Sequence, residues 1–433
     1  MTRNSPGEIA PEPRTEQHNM RCGILHGAFF QMGTAFADPY AVVPLFLSGF
    51  TESRALIGLI VSLIEALTIV PQLSVSRRIR RNPGLARPIM LAGIWMRCGA
   101  WGIIALTTML VSSQVLWILA VFMLLVAVYS LGAGFAVLPF RRVISETITP
   151  ARRGTFFGGR LAAGGMLAAL AGMVVKSILG NEGLVWPRNY GILFGFSFAS
   201  LAVAYIAMSY LRFLPKPATR SSHGLPPLRQ EIHDAWRAYP ALKRLIGVRL
   251  LSGGLPLVLP FLTLYATNEV EIPLAWVGIF VAAQQMGAIF ANVAWMPLGN
   301  RFGTRSVIRA GLGLAVVSLT TIAAFRSAVA LALAFALSGG ARSAIKVGFS
   351  GYILELGTPE IRPLLFALEG TLLMPLYFMP LLGGFLADTL GYRPLVLLGG
   401  ALLLGALVLA RTLCEPRRAD PTCGPCAVSE DLR

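Results

Sequence analysis

Charge is what this sequence has least of. Only 13% of the 433 residues are Asp, Glu, Lys or Arg, about half the share of an ordinary soluble domain, and that excludes a water-facing globular surface. Acids are scarcer than bases, 20 against 37, and lysine is nearly missing, at four. No glycine-rich phosphate loop is present, which argues against ATP-driven chemistry in this chain, and no hydrolytic constellation stands out, so an enzyme is not expected. Strict apolar–polar alternation is missing too, which excludes a membrane barrel. No cleavable leader is expected: residues 1–20 are polar and contain proline, and the first apolar run is too long for a signal core. The few cysteines include Cys414, Cys423 and Cys426, one ligand short of a closed tetrahedral zinc site. Reduced thiols are expected there and at Cys22 and Cys98, with no metal and no cofactor.

What fills the chain instead is apolar. The sequence is 55% hydrophobic with a mean hydropathy of +0.68, and runs of roughly 20 residues, enough to cross a bilayer as a helix, recur almost throughout. Helices are forced, because lipid cannot satisfy open backbone groups. Twelve spans are expected, at about 22–48, 55–75, 88–110, 114–140, 156–179, 190–214, 244–266, 274–297, 306–325, 327–351, 363–387 and 393–412. An even number puts both termini on one side. With the N-terminus inside, 27 Lys or Arg fall in inner segments and only Arg54, Lys176, Arg188, Arg326 and Arg393 outside. That bias predicts a multi-pass protein of the cell (inner) membrane with both termini cytoplasmic. It also explains the net charge of +17 without nucleic acid; the lipid bilayer is the expected partner surface.

One stretch occurs twice. ISETITPARRGTFFGGR, from Ile144, returns 209 residues later as ILELGTPEIRPLLFALE, from Ile353, with six identities in seventeen ungapped positions; unrelated segments would share about one. Each copy sits between two apolar runs. The chain therefore reads as two copies of one membrane half, and such a half-repeat points to a transporter. The expected organisation is a disordered cytoplasmic tail (1–20), an N-terminal six-helix bundle (21–214), a cytoplasmic linker (215–242) with a surface helix around Arg229–Arg237, a C-terminal six-helix bundle (243–413) and a cytoplasmic tail (414–433).

The loop GNRFGTR, Gly299 to Arg305, resembles the second-half copy of the loop signature G-x-x-x-D-R-x-G-R-R of the major facilitator superfamily. Arg301, Gly303 and Arg305 match, while Asn300 stands for the acid and Met296 for the leading glycine. The first-half loop, PQLSVSRRIRRNPGLARP, keeps only the positive charge, and PLLGGFLADTLGYRP, Pro380 to Pro394, resembles the end of span eleven and its outer loop. The resemblance covers about residues 21–413 and implies an all-α fold of twelve transmembrane helices in two pseudo-symmetric six-helix bundles. It also implies a central cavity lined mostly by spans one, four, seven and ten. The family's antiporter signature in span five is not met, because its proline is missing.

An ionised group inside a bilayer costs about 2.5–3.5 kcal/mol on insertion scales, so each one needs a reason. Asp38, beside Pro39 in span one, is the first coupling candidate, a proton carrier or else a cap for a helix kink. Glu65 in span two is the second, with a structural or gating role as its alternative. Arg342 and Lys346 are four apart on one face of span ten and suit an anionic group on a solute. Arg249, Tyr129, Tyr265, Gln284 and Gln285 complete the cavity candidates; snorkelling, for the arginine, and helix–helix glue are their plainer roles. His26 is expected at the membrane interface. Gly158, Ala162 and Gly165, with Gly383, Gly384 and Ala387, are expected to allow close helix approach. For a cytoplasmic gate the candidates are Glu146, Arg153, Arg160, Arg301, Arg305, Glu355, Arg362 and Glu369. Arg160 and Glu369 occupy equivalent repeat positions with opposite charge and are candidates for direct pairing.

The leading expectation is a monomeric secondary active transporter of a small organic solute, coupled to protons. An uncoupled facilitator and a non-transporting receptor or assembly factor on the same fold stay open. Interior cations, Arg97, Arg160, Arg249, Arg342 and Lys346 against Asp38, Glu65 and Glu369, tilt the solute toward an anion or zwitterion. The charge bias is directly testable. Alkaline phosphatase fused after residue 433 is expected to stay inactive and a green fluorescent protein there to fluoresce; the reverse pair would place the termini outside.

Overall fold

The computed structural model describes residues 13–110, 115–212, 233, 236–356, 361–416 and 423, and the chain is helical throughout them. In order, the helices are α1 (Pro13–Phe36), α2 (Val42–Ser48), α3 (Arg54–Ala66), α4 (Gln72–Arg81), α5 (Ala86–Leu110), α6 (Val115–Thr147), α7 (Pro150–Leu179) and α8 (Arg188–Ser209). After the linker come α9 (Pro240–Leu251), α10 (Gly254–Val258), α11 (Leu262–Asn268), α12 (Trp276–Phe302), α13 (Thr304–Ala324), α14 (Ala328–Leu356), α15 (Arg362–Leu372), α16 (Met379–Leu390) and α17 (Tyr392–Leu409). Ten stretches among the described residues are long and apolar enough to cross a membrane. The other two of the twelve, spans one and two, are present as the broken pairs α1–α2 and α3–α4.

The breaks have local causes. Proline removes a helix donor and crowds the preceding turn. At Asp38-Pro39 the helix stops, and the Asp38 carboxylate collects the freed amides of Tyr40 and Ala41, each at 2.9 Å, before α2 restarts. Span two stops before Pro71. Span seven is interrupted at Ser252-Gly253, where the Ser252 hydroxyl donates to the Arg249 carbonyl at 2.6 Å; a 3-10 turn, Leu259–Phe261, interrupts it again. Span eleven passes through the 3-10 turn Met374–Phe378 between α15 and α16. Its Leu381 amide donates to the Ser62 hydroxyl of α3 at 3.1 Å, so a neighbouring helix satisfies what the interruption opens.

The chain forms two compact units. Unit 1 comprises residues 1–37, 67–171 and 190–220; unit 2 comprises 38–66, 172–189 and 221–433. Spans one and two each cross from one unit to the other at their breaks. In unit 1, α5 and α6 lie side by side and bury the aromatic cluster of Trp101, Phe122 and Phe194. The start of α1 is tied down by three polar contacts. Glu16 accepts the backbone amide and the hydroxyl of Thr149 at 2.8 and 2.6 Å and faces Arg152 at 3.6 Å. Asn19 exchanges two 2.9 Å bonds with the backbone of Arg212. His18 meets the Tyr210 carbonyl at 3.1 Å. The expected disordered tail is thereby corrected: helix begins at Pro13, and Glu16 is 5% exposed. Residues 1–12 of that tail lie outside the described residues. So do 213–232 of the expected linker and its surface helix, of which His233 and residues 236–238 are described and helical.

In unit 2, α3 packs along α16. Gly384 lies against the Arg54 backbone and Gly383 against Leu257, so the small residues of span eleven do permit close approach. In span five, a Cβ on Gly158 would meet nothing within 4 Å among the described residues, whereas Gly164 lies close against Gln31 of α1 and Gly172 against Gly278. Between α12 and α13 the GNRFGTR loop turns at Gly303, whose φ of 83° favours glycine. The acid that Asn300 does not supply comes from Glu415, which faces Arg305 at 3.3 Å. Cys414 and Cys423 are joined by a disulfide, which corrects the expectation of free thiols there; Cys426 lies outside the described residues.

At the start of α3, Asp388 of α16 caps the helix, accepting the amides of Arg54 at 3.0 Å and Ala55 at 2.9 Å. Arg54 returns the contact, donating to the Ala387 carbonyl at 2.7 Å and lying 4.4 Å from the centre of the Tyr392 ring. Asp388→Ala is expected to lower stability by about 1 kcal/mol, an ordinary N-cap loss, and Asp388→Asn by less, because it keeps an acceptor. Thermal unfolding of both variants in detergent checks this; equal loss in the two would point to charge instead.

Candidate functional site

The breaks converge. In unit 2 they border a cavity of about 240 Å³. Tyr40 comes from the break in span one and Glu65 from the end of α3. Arg249, Ser252, Leu255, Pro256 and Leu259 come from span seven, and Leu376, Tyr377 and Pro380 from the interruption in span eleven. The unbroken α14 supplies Arg342, Ile345 and Lys346 along one face. Of the residues singled out in the sequence, Glu65, Arg249, Arg342 and Lys346 are therefore brought together here. Tyr40, Ser252 and Tyr377 were not anticipated, although each lies within four residues of a proline.

A chain of contacts runs through this wall. The Asp38 carboxylate is 4% exposed and holds the Tyr40 and Ala41 amides, so it sits behind Tyr40 as the cap of the break. The Tyr40 hydroxyl donates to Glu65 Oε1 at 2.5 Å. The Arg342 guanidinium lies over the Tyr40 ring, 4.3 Å from its centre, a cation–π contact of about 0.5–2 kcal/mol depending on desolvation. Arg249 lies 5.0 Å from the centre of the Phe349 ring, and its Nε is buried without a partner among the described residues. The fields of Glu369 and Glu65 both reach Arg249. The charges lining the cavity are one carboxylate and three cations.

Other candidates lie elsewhere. Tyr265 is stacked 5.7 Å from Tyr392 and lines a separate cavity of about 290 Å³ with Arg393. Gln284 is buried at 3% exposure, with both side-chain polar atoms unpartnered among the described residues; Gln285 is half-buried. Tyr129 belongs to unit 1, where its hydroxyl receives Arg97 at 2.6 Å. Glu146 pairs with Arg142 at 2.7 Å, and Arg153 Nε donates to the Ile148 carbonyl at 3.2 Å. Glu355 accepts the Thr304 hydroxyl at 2.8 Å. Arg301 lies over Phe302, Arg305 faces Glu415, and Arg362 opens α15.

One expectation needs correction. His26 is buried, at 6% exposure, among Phe30, Phe140 and Tyr205. Arg160 donates to the Gly23 carbonyl at 2.6 Å, meets His26 Nδ1 at 3.0 Å and lies over Phe140 and Phe156. All these partners belong to unit 1. No group of three His, Cys, Asp or Glu among the described residues is placed to hold a metal ion.

Comparison with known proteins places this arrangement. Residues 245–423 match the model of the Major Facilitator Superfamily. No curated protein matches. Among solved structures, the chain is similar to a D-xylose-proton symporter, at 14% identity and a TM-score of 0.71, covering 92% of this chain and 98% of that one. The nucleoside transporter NupG aligns with a TM-score of 0.68 at 13% identity, over 93% of this chain and 100% of that one. A bacterial homologue of the iron transporter ferroportin in its inward-facing state gives 0.63 at 16% identity, over 92% and 98%. A family model on residues 245–423, the shared fold over more than nine-tenths of the chain and the membrane-spanning helices agree on a multi-pass membrane protein with the major facilitator superfamily fold.

Proposed function

We propose that the chain is a secondary active transporter that moves a small organic solute by alternating access, with Glu65 as the proton-carrying group. The observation that carries this is the unit 2 cavity, where interrupted helices meet four charged side chains. Irregular backbone at membrane depth is tolerated only where protein or a cavity surrounds it, and in secondary transporters such interruptions mark the solute and ion sites. The solved neighbours titled as symporter and transporter support the class, and at their identities they say nothing of the solute.

The geometry suggests how the coupling works. Ionised, Glu65 accepts the Tyr40 hydroxyl and offsets one of the three cations. Protonated, it no longer offsets that positive charge, and an incoming anionic or zwitterionic group takes its place. Proton and solute then load together, as a symport requires. Asp38 is less suited than the sequence suggested, because its carboxylate is already committed to the two amides that close the break. The packing of α3 on α16, capped by Asp388, would be the closed outer gate, with both termini in the cytoplasm and the protein acting as a monomer in the cell (inner) membrane.

Proteoliposomes with a trapped pH-sensitive dye test this. Adding a transported solute is expected to move protons inward, and a pH gradient of one unit to support about tenfold accumulation at one proton per solute. Glu65→Gln is expected to keep solute exchange while abolishing both proton movement and accumulation. Asp38→Asn, which keeps one acceptor oxygen for the cap, is expected to retain coupling. Solute flux without proton movement in the wild type would leave the uncoupled facilitator standing. Absence of flux for any solute, with a protein partner co-purifying, would favour the receptor reading.

A further inference from the structure

Unit 1 holds two arginines within its apolar helices with no carboxylate in contact among the described residues. Arg97 lies eleven residues into the 25-residue α5, near its middle, and Arg160 ten residues into the 30-residue α7, about a third of the way along it. Snorkelling does not account for Arg160. A Cβ on Gly27 of α1 would meet its Cγ at 2.8 Å and its Cζ at 3.0 Å, so the side chain lies across α1 instead of reaching along α7. Gly23, four residues earlier, leaves the matching notch for the Phe156 ring. The sequence has thus cut two glycine seats into α1 to hold this arginine and its aromatic neighbour in place.

His26 joins the two cations. Arg160 Nη1 meets its Nδ1 at 3.0 Å, which requires an unprotonated Nδ1 to accept. The His26 ring stacks on Phe30 at 5.7 Å, and the other side of the link is Arg97, 5.0 Å from the centre of the same Phe30 ring. The fields of both guanidiniums act on His26. Arg97 also lies over Tyr129 at 4.4 Å and donates to its hydroxyl. These contacts are all with neutral groups: rings, a carbonyl, a hydroxyl and an imidazole. They hold the guanidiniums in place but leave two positive charges unneutralised, a costly state in a low-dielectric interior. Donor capacity is unspent as well. Arg97 Nε is buried without a partner among the described residues, and the Tyr205 hydroxyl, on a fully buried residue that feels the Arg97 charge, has none either. Buried polar groups left open in this way call for a partner.

We propose that Arg97 and Arg160, joined through His26, form a binding site in unit 1 for the carboxylate or phosphate group of an organic anion. Planar guanidinium forks match the oxygens of either group. The rings of Phe30, Phe140 and Phe156 around them favour an aromatic or apolar body on the ligand. That this anion is the transported solute rests on the transport reading; that it binds here does not.

Thermal unfolding of the purified full-length protein in a neutral detergent tests the site, with benzoate and phenyl phosphate as probes and benzyl alcohol as the uncharged control. At least one anion is expected to raise the unfolding temperature with concentration, and the alcohol not to. The apparent dissociation constant is expected to rise at least tenfold in Arg97→Gln and in Arg160→Gln and to stay within twofold in Arg326→Gln, a change at an exposed arginine outside both sites. If the Gln variants fail to fold, Arg97→Lys, Arg160→Lys and Gly27→Ala decide, each expected to weaken binding severalfold while keeping the charge. The proposal is overturned if neither anion shifts the wild type, if binding survives both arginine changes, or if Arg326→Gln abolishes it equally. It is also overturned if phosphatidylglycerol alone gives the arginine-dependent shift, since the site then belongs to a lipid. Binding is read without transport: a chain that binds but moves nothing sinks only the transport reading, and one that moves a solute but binds neither probe sinks only this one.

Discussion

Lipid offers no hydrogen bonds, so every helix interruption must be closed by the protein itself. That requirement organises unit 2. Pro39 opens the end of span one, and Asp38 closes it by taking the amides of Tyr40 and Ala41. The interruption in span eleven leaves the Leu381 amide free, and Ser62 of α3 takes it. Asp388 in turn takes the first amides of α3. Where the closing group comes from another helix, as at Leu381, the interruption ties its span to a neighbour. Glycines at the same crossing, Gly383 and Gly384, let backbones meet closely, which matters where water exclusion does not drive helices together. The cavity is the space left where these interruptions face one another.

Charge divides the two units differently. In unit 2 the cations Arg249, Arg342 and Lys346 share a wall with Glu65, and Arg342 rests on the ring that Glu65 holds in place. Opposite charges are at hand. In unit 1, the partners of Arg97 and Arg160 among the described residues are rings and neutral dipoles. Such contacts orient a guanidinium without neutralising it. A paired charge inside a membrane protein is explained by its partner, whereas an oriented but unneutralised one calls for something that arrives from outside.

Much of this was legible in residue order. Apolar run length placed ten of the spans with ends off by up to seven residues, while α1 begins nine residues before the expected span one, and the spacing of Arg342 and Lys346 put them on one face of a span that does line a cavity. The half-repeat pointed to a membrane transport fold before any coordinates. What could not be read was where spans one, two, seven and eleven stop, because hydropathy averages over a break of two or three residues. Proline marks those points, but only the tertiary structure says which neighbour fills the gap. Asp38 looked like a free carboxylate because its ligands are backbone amides, invisible in side-chain order. Glu16 looked like tail because its partner, Thr149, is 133 residues away. His26 looked interfacial by its place in the run, yet Gly23 and Gly27 draw α7 over it.

The position of Tyr40 links these levels. It is the second residue after the Asp38 cap, so its backbone is fixed by the break, and its ring and hydroxyl are fixed by Arg342 and Glu65. If Glu65 takes up a proton, the short bond from Tyr40 loses its ionic acceptor, while the ring beneath Arg342 stays anchored at its backbone end. The hydroxyl is then free to turn toward a solute with no movement of α2. A change in one proton would thus be passed to the cation wall through a side chain whose other end is held by the helix break itself. Local chemistry at the cavity and the packing of α3 on α16 share that anchor, because Glu65 and the capped start of α3 belong to one thirteen-residue helix.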